Sequence, residues 1–117
     1  MVSSLLLLGT IAVPGAVISL KGPDTFGMSS LNGPGNWDNG LAPIRTNDYS
    51  TGTYFLRTPP NSSSYTFGGG SLCVEAGGRF LLKGSGGQTV TVDNLVLKGG
   101  VTDFANTSAD YYTETLA

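Results

Sequence analysis

The stretch SLCVEAGGRFLLKG, residues 71–84, contains two apolar segments of strand length separated by the pair Gly77-Gly78. Alternating or short apolar runs between glycines are typical of β-strands. Part of the stretch recurs, because FLLKG at residues 80–84 is echoed by LVLKG at residues 95–99. Such an echo is typical of stacked units that pack against near-copies of themselves. It favours a short parallel β-helix, and similar hairpin strands in a β-sandwich are the alternative.

The same pattern extends on both sides of this stretch. Further strand-length segments occupy residues 53–57, 64–67, 88–92 and 94–98, and glycine clusters at 68–70, 77–78, 86–87 and 99–100 separate them. The pattern predicts an all-β chain with little helix after Lys21. Period-two alternation predicts eight inward-facing side chains: Leu72, Val74, Phe80, Leu82, Val90, Val92, Leu95 and Leu97.

Composition excludes several functional classes. The chain has 117 residues, which suffices for one domain, and only 12% of them are charged, with a net charge of −2. Such a surface is unsuited to nucleic acid, and no phosphate-binding glycine loop is present to hold a nucleotide. The absence of histidine excludes a Ser-His-Asp triad, a Cys-His pair and any zinc site that needs histidine. We therefore expect a protein that is not an enzyme and that has no cofactor.

The chain divides into three regions by composition. Residues 1–20 carry no charged side chain, residues 21–52 are rich in turn formers, and residues 53–117 contain most of the strand-length segments. We interpret them as an export signal or assembly segment, a loop-rich capping region and a β-solenoid-like domain. In the assembly interpretation, the apolar side chains would pair with a second copy. They are Leu5, Leu6, Leu7, Leu8, Ile11, Val13, Val17 and Ile18.

The capping region contains the single tryptophan, in GNWDNGLAPIRTNDY at residues 35–49. Trp37 could stack on a sugar while Asn36 and Asp38 bond its hydroxyl groups, with Tyr49 and the further tyrosines Tyr54 and Tyr65 extending the platform. Alternatively, the indole covers the open end of the first coil of a β-helix. We favour the covering role, because the end of such a stack needs to be covered.

Other polar residues offer weaker candidate sites. Asn61 and Asn106 begin Asn-x-Ser/Thr sequences, the pattern of a glycosylation acceptor. Asp38 and Asp48 could contribute to one calcium site, but a hard cation needs more oxygen ligands than two side chains provide. No pair of acids lies in a recognisable catalytic motif, so we predict neither catalytic nor metal-binding residues.

The order Gly35-Asn36-Trp37-x-x-Gly40-x-x-Pro43, followed by Ser64-Tyr65-Thr66-Phe67, Gly77-Gly78 and Asn94-Leu95-x-Leu97-x-Gly99-Gly100, resembles the N-terminal region of bacterial autotransporter-associated β-strand proteins. This resemblance implies a secreted, glycine-rich parallel β-helix.

From the resemblance we expect a structural or adhesive protein that is secreted or held at the bacterial cell surface. The expected partners are further copies of the chain, in oligomers or filaments, and cell-surface polysaccharide. A glycan-binding module and a lyase-like β-helix enzyme fragment are the second and third hypotheses.

Overall fold

The structure is a computed structural model that describes residues 15–23, 31–61, 63–83 and 87–105. These residues form short β-strands joined by turns, with a single 3-10 turn of helix at Pro34–Asn36. Within these ranges no helix has the length and apolar character needed to cross a bilayer. For the part of the chain that the structure describes, the prediction of an all-β architecture is confirmed.

Nine strands follow one another along the described residues. They are β1 (Val17–Ser19), β2 (Asp48–Ser50), β3 (Phe55–Arg57), β4 (Tyr65–Thr66), β5 (Ser71–Glu75), β6 (Arg79–Lys83), β7 (Val90–Thr91), β8 (Leu95–Lys98) and β9 (Val101–Ala105). They form three sheets, with the strand orders β1-β2-β5-β8, β3-β6-β9 and β4-β7. All the strand pairs in these sheets are parallel.

The pairing follows a nearly constant offset along the chain from β2 onward. Asp48 pairs with Ser71, Arg79 with Val101 and Tyr65 with Val90, one example from each sheet. Paired strands are therefore separated by similar lengths of chain, and each sheet receives strands in sequence order. The first four residues of each repeat lie in different sheets, residues 80–83 in β6 and residues 95–98 in β8.

The two glycines of the pairs Gly77-Gly78 and Gly99-Gly100 have different structural roles. Gly77 and Gly99 adopt positive φ angles of 83° and 79°, in the turns that lead from β5 to β6 and from β8 to β9. The second glycine of each pair lies directly against the backbone of a neighbouring segment of chain. A Cβ atom on Gly78 would overlap the carbonyl oxygen of Gly52, and one on Gly100 would overlap that of Val74. The pairs therefore permit close contact between successive turns.

The core lies between the sheets and follows the predicted alternation for most positions. Leu72, Val74 and Phe80 are buried, whereas Leu82, Val90 and Val92 are partly buried and pack against the buried cluster. Leu95 and Leu97 differ from the prediction, with 41% and 52% of their surface exposed. Both belong to β8, the last strand of its sheet, so no further described strand covers them.

The sheet also extends beyond the region in which we predicted the strand stack. β1 lies within residues 1–20 and pairs with β2, which lies within residues 21–52. Leu20, directly after β1, is buried and forms an antiparallel bridge with Trp37. The apolar N-terminal region and the loop-rich region therefore both contribute to the sheet and the core.

The face of β6 opposite Phe80 is buried as well, which the alternation did not predict. Leu81 and Lys83 are fully buried there, and the hydroxyl group of Thr58 bonds both the N–H (2.8 Å) and the carbonyl oxygen (3.2 Å) of Lys83. On the same sheet, the Phe55 ring lies 5.9 Å from the guanidinium carbon of Arg57 and 5.6 Å from that of Arg79. These contacts fix cationic side chains against an aromatic ring.

We expect Gly78→Ala to lower the free energy of unfolding by roughly 1–3 kcal/mol, because the added methyl group must displace the Gly52 carbonyl. Gly35→Ala is the matched control, because a Cβ atom at Gly35 meets no atom within 4 Å. It should change stability by less than about 0.5 kcal/mol. Denaturant unfolding measures the stability of both variants. Equal unfolding midpoints would contradict the close approach of Gly78 to the Gly52 carbonyl group.

Candidate functional site

The N-terminal edges of the three sheets are covered by residues 31–38, here named the edge segment. The Leu31 N–H donates to the carbonyl oxygen of Arg57 in β3 at 3.0 Å. The Asp38 N–H donates to the carbonyl oxygen of Ser19 in β1 at 3.0 Å, and the carbonyl oxygen of Asn36 accepts from the Lys21 N–H at 2.9 Å. Edge groups of two sheets are thereby satisfied by the backbone of one short segment.

The third sheet is covered by a side chain. The Asn32 amide nitrogen donates to the carbonyl oxygen of Thr66 at 2.8 Å, and its oxygen accepts from the Gly68 N–H at 2.9 Å. A side-chain amide carries the same donor and acceptor as a peptide group, so Asn32 replaces a neighbouring strand at β4. The sequence showed only one more asparagine in a loop, which is why Asn32 was not among the predicted residues.

An aromatic cluster joins the edge segment to the core. The Trp37 and Tyr49 rings meet edge to face at 4.8 Å between centroids, and Phe67 lies 6.0 Å from Trp37 and 5.4 Å from Tyr49. The Tyr49 hydroxyl oxygen accepts a hydrogen bond from the Ile44 N–H at 2.9 Å. Edge-to-face packing adds to the stabilisation that burial of these large side chains supplies. The cluster therefore holds the loop-rich region onto the sheets.

The residues of the glycan hypothesis do not form an open platform. Trp37 and Tyr49 are buried, so neither ring presents a face to a sugar, and Asn36 is half-buried. Among these four residues, only Asp38 is exposed. The further tyrosines are more accessible: Tyr54 is 37% exposed, and the hydroxyl group of Tyr65 donates to the Asn61 side-chain oxygen at 2.7 Å. The structure thus brings Trp37 and Tyr49 together as packing residues.

The remaining predicted site residues are dispersed. Asp48 accepts a hydrogen bond from the Ser71 hydroxyl at 2.6 Å, and the described residues contain no group of three or more potential metal ligands. Asn61 is exposed, and its side-chain oxygen also accepts from the Ser63 N–H. Val17 is exposed, and Ile18 packs against the core. Outside the described residues lie Asn106, Leu5, Leu6, Leu7, Leu8, Ile11 and Val13.

Cys73 lies beside a carboxylate on the outer side of β5. Its thiol donates to the Glu75 carboxylate oxygen at 3.4 Å, and the Ser50 hydroxyl donates to the same oxygen. Burial raises the pKa of the Cys73 thiol most strongly, and the hydrogen bond to Glu75 and the charge of Glu75 raise it further. A protonated thiol is a poor nucleophile, so the environment of Cys73 opposes covalent catalysis.

The opposite end of the sheets forms an apolar recess, here named the apolar mouth. It has a volume of about 200 Å³, and its lining includes Phe80, Leu82, Val92, Leu95 and Phe104. β8 and β9 are the last strands of their sheets at this end. The mouth combines an apolar surface with two strand edges, and that combination suits the binding of another β-strand. The sequence did not reveal it, because alternation alone predicts Leu95 to be buried.

We expect Trp37→Ala to destabilise the fold by about 3–5 kcal/mol, the range for truncation of a large buried aromatic residue. Trp37→Phe should cost less, since it keeps a ring beside Tyr49 and removes a buried indole N–H that has no hydrogen-bond partner. Leu41→Ala, at a position 63% exposed, is the control and should change little. A melting temperature unchanged by Trp37→Ala would refute the packing role.

Glu75→Gln should lower the pKa of Cys73, because the negative charge that disfavours the thiolate is removed. The pH dependence of alkylation by iodoacetamide measures this shift, and the rate in denaturant supplies the unfolded reference. The pKa of Cys73 is higher in the folded protein than in the unfolded one. The stabilisation that this thiol contributes is therefore fully present at pH values below the unfolded pKa, and it is lost as the pH rises through the folded pKa. An identical alkylation profile in the variant would exclude the Glu75 contact in solution.

Comparison with known proteins leaves the family of this chain open. No protein-family model, no curated protein and no solved structure matches it. The resemblance to bacterial autotransporter-associated β-strand proteins therefore stays a prediction from the sequence motifs.

Proposed function

We propose that the three parallel sheets are the faces of a short parallel β-helix, and that this protein is a structural or adhesive module secreted to the bacterial surface. The observation that carries the proposal is the parallel pairing of successive strands in three sheets at a nearly constant sequence offset. In a β-helix each turn of chain contributes one strand to each face, so the same face is reached again after one turn.

The order of the strands supports this architecture. β2, β3 and β4 each belong to a different sheet, and β5, β6 and β7 then pair with them in the same order. β8 and β9 continue two of the three faces. In the proposed β-helix, the edge segment is the N-terminal cap and Trp37 anchors it.

The chemistry of the described surface supports a structural role over a catalytic one. The aromatic side chains that could contact a substrate, Trp37 and Tyr49, are used in packing. The apolar mouth is lined mainly by hydrocarbon side chains, and the environment of Cys73 keeps its thiol protonated. Acid–base or nucleophilic catalysis requires polar groups that converge on one reacting atom, and an apolar recess is instead suited to contact with another protein surface.

The proposed location rests on the sequence at the N-terminus and on the motif resemblance. Residues 1–14 are uncharged and mostly apolar, as in the central region of an export signal. β1 begins at Val17, and the carbonyl oxygen of Ala16 accepts a hydrogen bond from the Asp48 N–H at 3.0 Å. Removal of residues 1–14 would preserve these contacts, whereas removal of residues 1–20 would also remove β1 and the buried Leu20.

We expect the full chain, expressed in a Gram-negative bacterium, to leave the cytoplasm, and a chain that begins at Gly15 to remain in it. Cell fractionation and the accessibility of the protein to protease on whole cells measure the distribution. If a signal is cleaved, mass spectrometry of the exported protein should place the cut before Ala16, because β1 must be retained. Gly35→Ala in the full chain is the control for an unrelated substitution.

Two outcomes would overturn the proposal. One is retention of the full chain in the cytoplasm at the level of the chain that begins at Gly15. The other is export followed by complete loss to the medium, with no protein retained on cells or on purified surface polysaccharide and no assembly. A chain that is exported and retained on the cell surface supports the proposed role.

A further inference from the structure

We propose that the end of the sheet at β8 is a docking surface for a second copy of this chain, which adds its own β8 in the antiparallel direction about a two-fold axis. The inference rests on the proposed function, of which it specifies the assembly contact. It predicts a closed dimer, in place of the filaments that the sequence also allowed.

The surface of β8 is incomplete within the described structure. Leu95, Val96 and Leu97 are 41%, 48% and 52% exposed, although all three are apolar and lie in a strand. The Leu72 N–H donates to the carbonyl oxygen of Asn94 at 2.8 Å, so the backbone groups of Asn94 point toward β5. Backbone groups alternate in direction along a strand, and those of Leu95 and Leu97 therefore point to the outer edge.

This alternation determines a register in which two β8 strands fit each other. Leu95 of one copy and Leu97 of the second copy both direct N–H and carbonyl groups outward, so they can exchange two hydrogen bonds. The two-fold axis repeats this exchange, giving four hydrogen bonds in all. Val96 then lies opposite Val96 of the second copy, at a position whose backbone groups point inward to β5. Leu95 and Leu97 extend across both apolar mouths.

The charges at the two ends of β8 favour the antiparallel direction. Asp93 and Asn94 precede the strand, and Lys98 ends it. In the proposed register, Lys98 of each copy lies opposite the uncharged Asn94 of the other, so no like charges face each other there. A second β8 added in parallel and in register would instead place two Lys98 ammonium groups side by side, which is unfavourable.

The other end of the protein is blocked to strand addition. The outer edge of β1 is bonded to the edge segment through Ser19 and Lys21, and Arg57 in β3 is bonded to Leu31. The edge of β4 is occupied by the Asn32 side chain. A head-to-tail contact would have to displace these bonds. An interface between two copies of the same end closes after one association, whereas head-to-tail contacts continue into a filament.

The test uses a cysteine at the expected two-fold axis. In the full chain we replace Cys73 with serine, because Cys73 lies beside Val96 in the pairing of β5 with β8. Val96→Cys is then introduced. Residues opposite each other in a non-hydrogen-bonded antiparallel pair have Cα atoms about 4.5 Å apart, which a disulfide can join. Mild oxidation should convert most of the Cys73→Ser, Val96→Cys protein to a covalent dimer.

The matched control places a cysteine at the blocked end. Val17 is 69% exposed, more than Val96, so Cys73→Ser, Val17→Cys offers a thiol of at least similar accessibility. It should yield little covalent dimer under the same oxidation. A mixture of the two cysteine variants should give the Val96→Cys homodimer and no excess of the mixed disulfide.

A second variant tests the strand edge without a cysteine. The N–H of Leu97 points to the outer edge, so Leu97→Pro removes a donor to the second copy while keeping the bonds to β5. Sedimentation equilibrium should show concentration-dependent dimers for the native chain. The variant should dimerise at least about tenfold more weakly, since two symmetric hydrogen bonds are lost. Thermal unfolding at low concentration should remain close to that of the native chain.

Three outcomes would overturn the inference. A native chain that is monomeric throughout the concentration range, with no Val96→Cys disulfide, would mean that the mouth is unoccupied or is covered by residues of the same chain, such as 106–117. A predominant mixed disulfide between Val17→Cys and Val96→Cys would indicate head-to-tail assembly. If Leu97→Pro dimerised as strongly as the native chain, pairing through the edge of β8 would be excluded. If the monomeric chain of the first outcome is still exported and retained at the cell surface, the dimer is rejected and the proposed function stands.

Discussion

The fold depends on one constraint, the hydrogen bonding of parallel strand edges. Each sheet carries N–H and carbonyl groups along the edge of its first strand and of its last. At the N-terminal end the edge segment satisfies such groups in three ways: the backbone of Leu31 on β3, the side chain of Asn32 on β4, and the chain from Asn36 to Asp38 on β1. The described residues provide no equivalent at β8. The two ends of the protein therefore differ in chemistry.

The aromatic cluster connects this constraint to the core. Trp37 follows the 3-10 turn, bridges Leu20 and packs against Tyr49 and Phe67, so the same residue joins the edge segment, β1 and the sheets. A tryptophan surrounded by turn formers has the composition of a sugar site, but here its neighbours are buried rings. What distinguishes the two roles is accessibility, which depends on strands that are distant in the sequence.

Local sequence predicted the strands of the central region and much of its core. Alternation in SLCVE assigned Leu72 and Val74 correctly, because β5 has a strand on each side and the sheet buries one of its faces. The same alternation failed at Leu95 and Leu97, since burial there requires a next strand that the pattern cannot show. β1 was not recognised either, as its partner β2 begins 31 residues later, with Val17 paired to Asp48. Asn32 was missed for a related reason: its acceptor and donor, Thr66 and Gly68, are remote in the chain.

The parallel pairing also sets where the protein should open first. Each strand is hydrogen-bonded only to the strands beside it in its sheet, so local stability depends on how many neighbours a strand has and on whether they are anchored. β5 has β2 on one side and β8 on the other, whereas β9 pairs only with β6. Amide hydrogen exchange should therefore be slowest in β2 and β5, where the sheet is also held by Trp37 and Tyr49, and faster in β7, β8 and β9, each of which pairs with one strand only. Local opening would therefore proceed from the end formed by β7, β8 and β9 toward Trp37.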